Sequence, residues 1–205
     1  MHHELFGIIA ALLVVIAFVP YIVKIVKGIV KPHPFTWLIW TITASSICML
    51  QLSNGAGAGA YGSGAMAVFS FFVFISTMRR GMSRVRHIDI ICLVIALLGV
   101  AVWLIIQEPA LSIALLLGVE FIGFLPTLFK AWRKPYEDSA VLWALNGTRQ
   151  TMSLLAVQHY NIVTLLNPIS WMIVAFGFSI LILVRRIPAK KPKRVVAKNA
   201  QPFSS

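Results

Sequence analysis

The sequence predicts an all-α integral membrane protein in which seven transmembrane helices form two parallel three-helix repeats joined by an inverting linker helix. Three observations lead to this fold class: the hydropathy, the segregation of basic residues, and an internal repeat. Of the 205 residues, 59% are apolar and only 12% are charged, and the mean hydropathy is +0.88. An ordinary soluble domain has about 25% charged residues. The composition therefore excludes a disordered chain and argues against a soluble enzyme.

Seven apolar segments are long enough to cross a bilayer, which takes roughly 20 residues of helix. In chain order they are Leu5–Val26, Pro34–Leu52, Ala56–Met78, Ile88–Ile106, Ala110–Ala131, Ser139–Val157 and Ile162–Val184. The loops between them are short. The basic segment after the seventh helix, residues 187–205, is expected to be a disordered tail.

Basic residues occupy alternate connections between these helices. They lie in the first, third and fifth loops and in the tail: Lys24, Lys27, Lys31, Arg79, Arg80, Arg84, Arg86, Lys130, Arg133, Lys134, Arg185, Arg186, Lys190, Lys191, Lys193, Arg194 and Lys198. The positive-inside rule then predicts an outside amino terminus and a cytoplasmic carboxyl terminus. This rule also explains the net charge of +12 without a nucleic-acid partner. The tail is suited to anionic lipid.

The chain contains an internal repeat with a shift of 106 residues. The matched positions are Pro20 with Pro126, Lys24 with Lys130, Trp37 with Trp143, Phe18 with Phe124, Phe72 with Phe178, and Arg79-Arg80 with Arg185-Arg186. The repeat divides the chain into a first three-helix unit (1–80), a linker helix (81–108), a second three-helix unit (109–186) and the tail (187–205). Parallel repeats of this kind occur in transporters.

The residues Pro20 to Lys27 resemble the proline-centred element of SWEET, SemiSWEET and PQ-loop transporters. The order of three, one and three helices with an outside amino terminus resembles SWEET sugar transporters over nearly the whole chain. Tyr21 and Thr127 replace the glutamine of the PQ pair, and nicotinamide riboside carriers share the architecture, so the resemblance does not identify a sugar. It implies a transporter whose proline kinks are hinges and in which an asparagine of each third helix faces the substrate. Asn167 fits that position, and Tyr61 replaces it in the first unit.

Glu120 and Arg149 are charged residues about ten positions inside the fifth and sixth helices, roughly 15 Å deep at 1.5 Å per residue. An unpaired charge there costs about 2.5–3.5 kcal/mol on insertion scales. We therefore predict a Glu120–Arg149 contact facing the bundle interior. It is either an ion pair that locks the two helices together, or a site for an anionic or zwitterionic substrate, or a proton relay.

The remaining candidate substrate-binding residues surround these two charges. Asn146 lies one turn from Arg149 and shares its face, whereas Gln150 is expected to point about 100° away from Arg149. The others are Asn167 and the tryptophans Trp37, Trp40 and Trp143, for which an interfacial aromatic belt is the alternative role. Candidate hinge positions are Pro20, Pro126, Gly62 and Pro168, the last two at equivalent positions of the two units.

The predicted function is a membrane transporter or facilitator of a small polar solute by alternating access, with a non-transporting seven-helix receptor or scaffold as the alternative. A retinal protein lacks support because helix seven contains no lysine. No HExxH, GxSxG or CxxC motif indicates an enzyme or a metal site, and no cofactor is expected. Two repeats in one chain make a monomer sufficient, while a dimer is also possible.

Overall fold

The computed structural model describes residues 2–27, 34–78 and 87–187, and within them it is all-helical with no strand. Each predicted segment is a helix, and the bounds differ from the predicted ones by a few residues. The helices are α1 His2–Val26, α2 Pro34–Ser53, α3 Tyr61–Met78, α4 His87–Ala101, α5 Pro109–Arg133, α6 Ala140–Ala156 and α7 Ile162–Arg186. Short 3-10 turns at Gly57–Ala60 and Pro135–Glu137 precede α3 and α6, and a π-helical turn at Val102–Ile106 extends α4. Most of the basic tail and the basic residues 79–86 lie outside the described residues.

Four of these helices are long and apolar enough to cross a membrane. They contain the stretches His2–Val23, Gly57–Met78, Pro109–Arg133 and Ile162–Arg186. In α2 and α4 the described apolar runs are shorter, Trp37–Ser53 and Leu93–Ile105. The helix α6 has 17 residues and carries several polar side chains, including Asn146 and Arg149. Over the described residues the other three helices do not meet this criterion of length and composition, so the expected seven spans are not confirmed.

The described surface is apolar and much of the polar content is internal. Large apolar side chains are exposed along α1, α3, α4 and α7, among them Ile16, Phe72, Leu98 and Ile180. Buried polar side chains occur on α2, α3, α5, α6 and α7 instead. An apolar exterior around a partly polar interior is what a lipid environment favours. The four candidate spans and this distribution are compatible with an integral membrane protein.

Six helices pack as a closed ring, with α4 outside it. In the first half α3 lies between α1 and α2, and in the second half α7 lies between α5 and α6. The halves meet where α1 packs against α6 and α2 packs against α5, and α4 packs against α2 and α5. One apolar cluster joins the halves through Ile47, Leu50, Ile113, Leu116 and Val163.

The α2–α3 and α6–α7 loops bind each other at one end of the ring. The backbone N–H of Gln158 donates to the carbonyl of Ala56 (3.1 Å), and that of His159 donates to the carbonyl of Gly55 (3.0 Å). The Asn161 side-chain Nδ2 donates to the carbonyl of Asn54 (2.8 Å). Gly55 has φ +84°, a left-handed conformation that favours glycine, and a Cβ there would lie 2.9 Å from the His159 ring. These contacts, called the paired loops below, tie the two halves together.

Candidate functional site

A cavity of about 320 Å³ lies inside the ring, between the two halves. It is lined by α1, α2 and α3 from the first half and by α5, α6 and α7 from the second. All eight residues selected from the sequence as substrate-binding line it: Glu120, Arg149, Asn146, Gln150, Asn167, Trp37, Trp40 and Trp143. The structure thus brings these residues from four helices to one internal space.

Glu120 projects from α5 and is held by side chains of α2 and α7. Its Oε2 accepts hydrogen bonds from Trp171 Nε1 (2.6 Å) and Asn167 Nδ2 (3.4 Å). Its Oε1 accepts a hydrogen bond from the Thr43 hydroxyl (3.3 Å). Because the donors come from both halves, this carboxyl group links the first and second three-helix groups at the wall of the cavity.

Arg149 projects from α6 and lies against α3. Its Nε donates to Asn146 Oδ1 (3.0 Å), one turn earlier on the same helix. Its Nη1 lies 3.2 Å from the place where a Cβ on Gly62 would be, so the absence of a side chain at Gly62 makes room for the guanidinium. No protein acceptor within the described residues takes the terminal Nη1 and Nη2 groups. These groups are therefore free to bind a ligand or water in the cavity.

The predicted direct contact between Glu120 and Arg149 is not formed. No ion pair with an N–O distance within 4.0 Å joins them, although both line the cavity and their charges interact electrostatically. The prediction was wrong because α5 and α6 were taken as neighbours. In the structure α7 packs between them, and each charge turns toward different partners. The two opposite charges consequently lie apart in one cavity.

The α6 wall also presents two amides. Asn146 accepts from Arg149 through Oδ1, which leaves its Nδ2 as a donor. Gln150 is only 3% exposed, lines the cavity, and makes no side-chain hydrogen bond within the described residues. Gln150 lines the cavity with the other selected residues, because positions 146 and 150 are one turn apart and share a helix face.

Tryptophans from both halves form the apolar walls. Trp37 packs edge-on against Phe18 and Trp40, and it is buried rather than exposed to lipid. Trp143 packs edge-on against Phe124, and its Nε1 donates to Asp138 Oδ1 (3.0 Å). These contacts fix the indole rings at the end of the cavity nearest the amino termini of α2 and α6.

The four candidate hinge residues lie inside helices. Pro20, Pro126 and Pro168 are within α1, α5 and α7, each of which continues beyond its proline. Gly62 lies in the first turn of α3, where an added Cβ would be 2.5 Å from Ser153 Oγ. Close packing of α3 on α6 is therefore a structural reason for this glycine, and the hinge role of all four stays a prediction.

Several residues at the site were not selected from the sequence. Trp171, Tyr21 and Ser63 line the cavity. Trp171 and Thr43 both donate hydrogen bonds to Glu120, although Thr43 does not itself line the cavity. Helical spacing in the sequence could have identified two of these residues. Trp171 follows Asn167 by four residues, and Thr43 follows Trp40 by three, so each shares a helix face with a selected residue. Within the described ranges, no three His, Cys, Asp or Glu side chains come together as a metal site would require.

The fold and the cavity define a helical protein that has four helices apolar and long enough to cross a membrane and an internal cavity lined by two charged residues. No protein-family model, no curated protein and no solved structure matches the chain.

Proposed function

We propose that this protein is a membrane transporter or facilitator of a small polar solute, which works by alternating access between two three-helix bundles. The observation that carries the proposal is the cavity itself. It lies at the junction of the two bundles and exposes the unpartnered Arg149 terminal nitrogens and the Gln150 amide. A scaffold needs no such space, because polar groups buried in an apolar interior cost free energy unless something binds them.

The relation between the two bundles supports an internal repeat. In each bundle the third helix packs between the first and the second. The matched pairs Phe18–Trp37 and Phe124–Trp143 make the same edge-on contact, with ring centroids 6.0 Å and 5.1 Å apart. The pair Phe72 and Phe178 differs, since Phe72 is exposed and Phe178 is buried. A parallel repeat with an extra helix outside the ring suits rocking of one bundle against the other.

This arrangement is the one that the resemblance to SWEET-type transporters implies, with α4 as the linker helix. In this proposal the amino terminus is outside and the carboxyl terminus is cytoplasmic, because the basic residues follow the ends of α1, α5 and α7. In the same proposal the proline residues within α1, α5 and α7 act as hinges.

The proposal assigns the described state to one end of the transport cycle. Along α2 the cavity extends from Trp37, near the basic end, to Ile47, and along α6 from Leu142 to Gln150. Beyond those residues the paired loops bind each other at the other end. The described state is accordingly the one closed toward the outside, and the paired loops must separate for the cavity to open there.

Uptake into proteoliposomes tests this function. The purified protein is reconstituted, and accumulation of radiolabelled sugars, nucleosides, amino acids and carboxylates is compared with that of protein-free liposomes. We expect saturable uptake of one solute class that Arg149→Ala abolishes. Arg133→Ala is the matched control, because Arg133 is exposed at the end of α5 and does not line the cavity.

The same experiment distinguishes transport from the alternative functions. A solute that raises the thermal unfolding midpoint of the purified protein but never enters the vesicles indicates a receptor. A folded protein that neither binds nor accumulates any tested class contradicts transport.

A further inference from the structure

The separation of the two charges in the cavity indicates which charged groups the solute has. Glu120 and Arg149 are the charged residues among the described cavity-lining side chains. They lie on non-neighbouring helices with no ion pair between them. Opposite charges held apart in an apolar interior lose hydration without gaining close contact with each other, so neither neutralises the other directly. A ligand with one positive and one negative group can satisfy both charges at once.

The free hydrogen-bonding positions agree with this charge pattern. Arg149 uses only Nε, so its planar Nη1 and Nη2 face is open to a carboxylate. A carboxylate has about four acceptor positions, and that of Glu120 uses three of them. Its Oε1 accepts from Thr43 alone, which leaves an acceptor position for an ammonium group.

The net charge of the cavity favours a zwitterionic ligand over a simple anion or cation. With Glu120 ionised and Arg149 protonated, the cavity has no net charge. An anion or a cation would add a net charge to a space walled mainly by apolar side chains, where an uncompensated charge is costly. A zwitterion leaves the sum at zero and places each of its charges near an opposite one.

The walls and the volume define the rest of the solute. Trp37 and Trp40 come from α2, while Trp143 and Trp171 come from α6 and α7. Indole faces favour flat apolar groups, and they attract an ammonium group as well. A volume of about 320 Å³ is at the small end of ligand sites, which have roughly 300–1,000 Å³.

We infer that the cavity binds a small zwitterion with a flat apolar body, whose carboxylate contacts Arg149 and whose ammonium group contacts Glu120. This inference rests on the proposed function, because it names the solute class of the same cavity. Arg149 and Glu120 are then the residues that determine specificity for charge.

Three probes that share one phenyl body test this assignment: L-phenylalanine, 3-phenylpropionate without the ammonium group, and 2-phenylethylamine without the carboxylate. Affinity is measured by calorimetry on the purified full-length protein. We expect L-phenylalanine to bind at least about tenfold more tightly than either analogue. In Glu120→Gln the order reverses, and 3-phenylpropionate binds more tightly than L-phenylalanine. In Arg149→Met both carboxylates weaken at least about tenfold while 2-phenylethylamine does not.

Arg133→Met is the control and keeps the parent order of affinities. Thermal unfolding checks that each variant is folded. If Arg149→Met is unfolded, Arg149→Lys replaces it, since lysine keeps the charge but loses the planar donor pair, and we expect weaker binding of both carboxylates. Glu120→Gln is nearly isosteric, and its amide can still accept from Trp171 and donate to the Thr43 hydroxyl.

Two results overturn the inference: 3-phenylpropionate binding the parent as tightly as L-phenylalanine, or a folded parent that binds none of the three probes. Uptake of a neutral sugar without binding of L-phenylalanine overturns the inference and leaves the proposed function intact. The predicted affinity reversal without uptake of L-phenylalanine supports the inference and contradicts transport.

Discussion

Replacement of Asn161 by aspartate tests whether the paired loops close the outer end of the cavity. Asn161 has two separable roles. Its Oδ1 caps α7 by accepting from the N–H groups of Val163 (3.0 Å) and Thr164 (3.1 Å), and its Nδ2 donates to the carbonyl of Asn54 (2.8 Å). Aspartate keeps the acceptor, and its charge at a helix amino terminus is favourable. It loses the donor, so the variant removes the bond between the halves while the cap persists.

The expected magnitude follows from that lost bond. A typical hydrogen bond contributes about 0.5–1.5 kcal/mol net, and a carboxylate oxygen facing the Asn54 carbonyl adds repulsion. A total of about 1–2 kcal/mol shifts the equilibrium between closed and open states about 5–30-fold. Asn161→Ala loses the cap as well, which costs about 0.5–2 kcal/mol more in stability. Aspartate should therefore open the outer end with less loss of stability than alanine.

Thiol accessibility measures this opening. A reporter, Ala44→Cys, is placed on the cavity wall in a chain whose Cys48 and Cys92 are replaced by alanine. A membrane-impermeant maleimide is applied from the outer side, and the labelling rate should rise about 5–30-fold in Asn161→Asp. Asn54→Ala is the matched control, since it alters the same loop but keeps the backbone acceptor. A labelling rate equal to that of the parent, with an unchanged unfolding midpoint, would refute the closing role of the paired loops.

Three further predictions concern the packing around the cavity, each checked by thermal unfolding in detergent. Gly62→Ala should lower the free energy of unfolding by about 1–3 kcal/mol, because the added Cβ would lie 2.5 Å from Ser153 Oγ. Gly118→Ala is the control, since no atom lies within 4 Å of its added Cβ and we expect no destabilisation. Equal unfolding midpoints for the two variants would contradict this prediction. Ser153→Ala should leave the protein equally or more stable, since the buried Ser153 hydroxyl has no hydrogen-bond partner among the described residues. A clear loss of stability would reveal such a partner. Trp171→Phe removes the 2.6 Å hydrogen bond to Glu120 and should lower the free energy of unfolding by about 1.5–3 kcal/mol. An unchanged unfolding midpoint would show that this hydrogen bond adds no stability.

The positions of the helices could be predicted from the sequence because each is an apolar run bounded by charged, glycine or proline residues. A backbone in lipid must satisfy its own hydrogen bonds, so such runs become helices wherever they occur. Seven spans stay a prediction, since four helices of the described residues are long and apolar enough to cross a membrane. The α6 segment is helical as expected, and its polar residues Asn146, Arg149 and Gln150 line the internal cavity.

The candidate site could be predicted in composition but not in connectivity. Intramembrane charge and helical spacing were enough to select Glu120 and Arg149, and both line the cavity. The same reasoning predicted a direct contact between Glu120 and Arg149, and the structure does not contain that contact. It also assigned no role to Trp171, whose indole Nε1 donates the shortest hydrogen bond to Glu120 among the described residues, at 2.6 Å.

The sequence by itself determined where the helices lie, which ends are basic, and which polar residues are too deep to be exposed to water. These properties depend on residues near one another in the chain and on their hydration. The tertiary structure decided that α7 separates α5 from α6, that the two charges line one cavity without an ion pair between them, and that the paired loops bind at one end. The physical reason is that the partner of a side chain depends on the lateral order of the helices, and several orders bury the same apolar faces equally well.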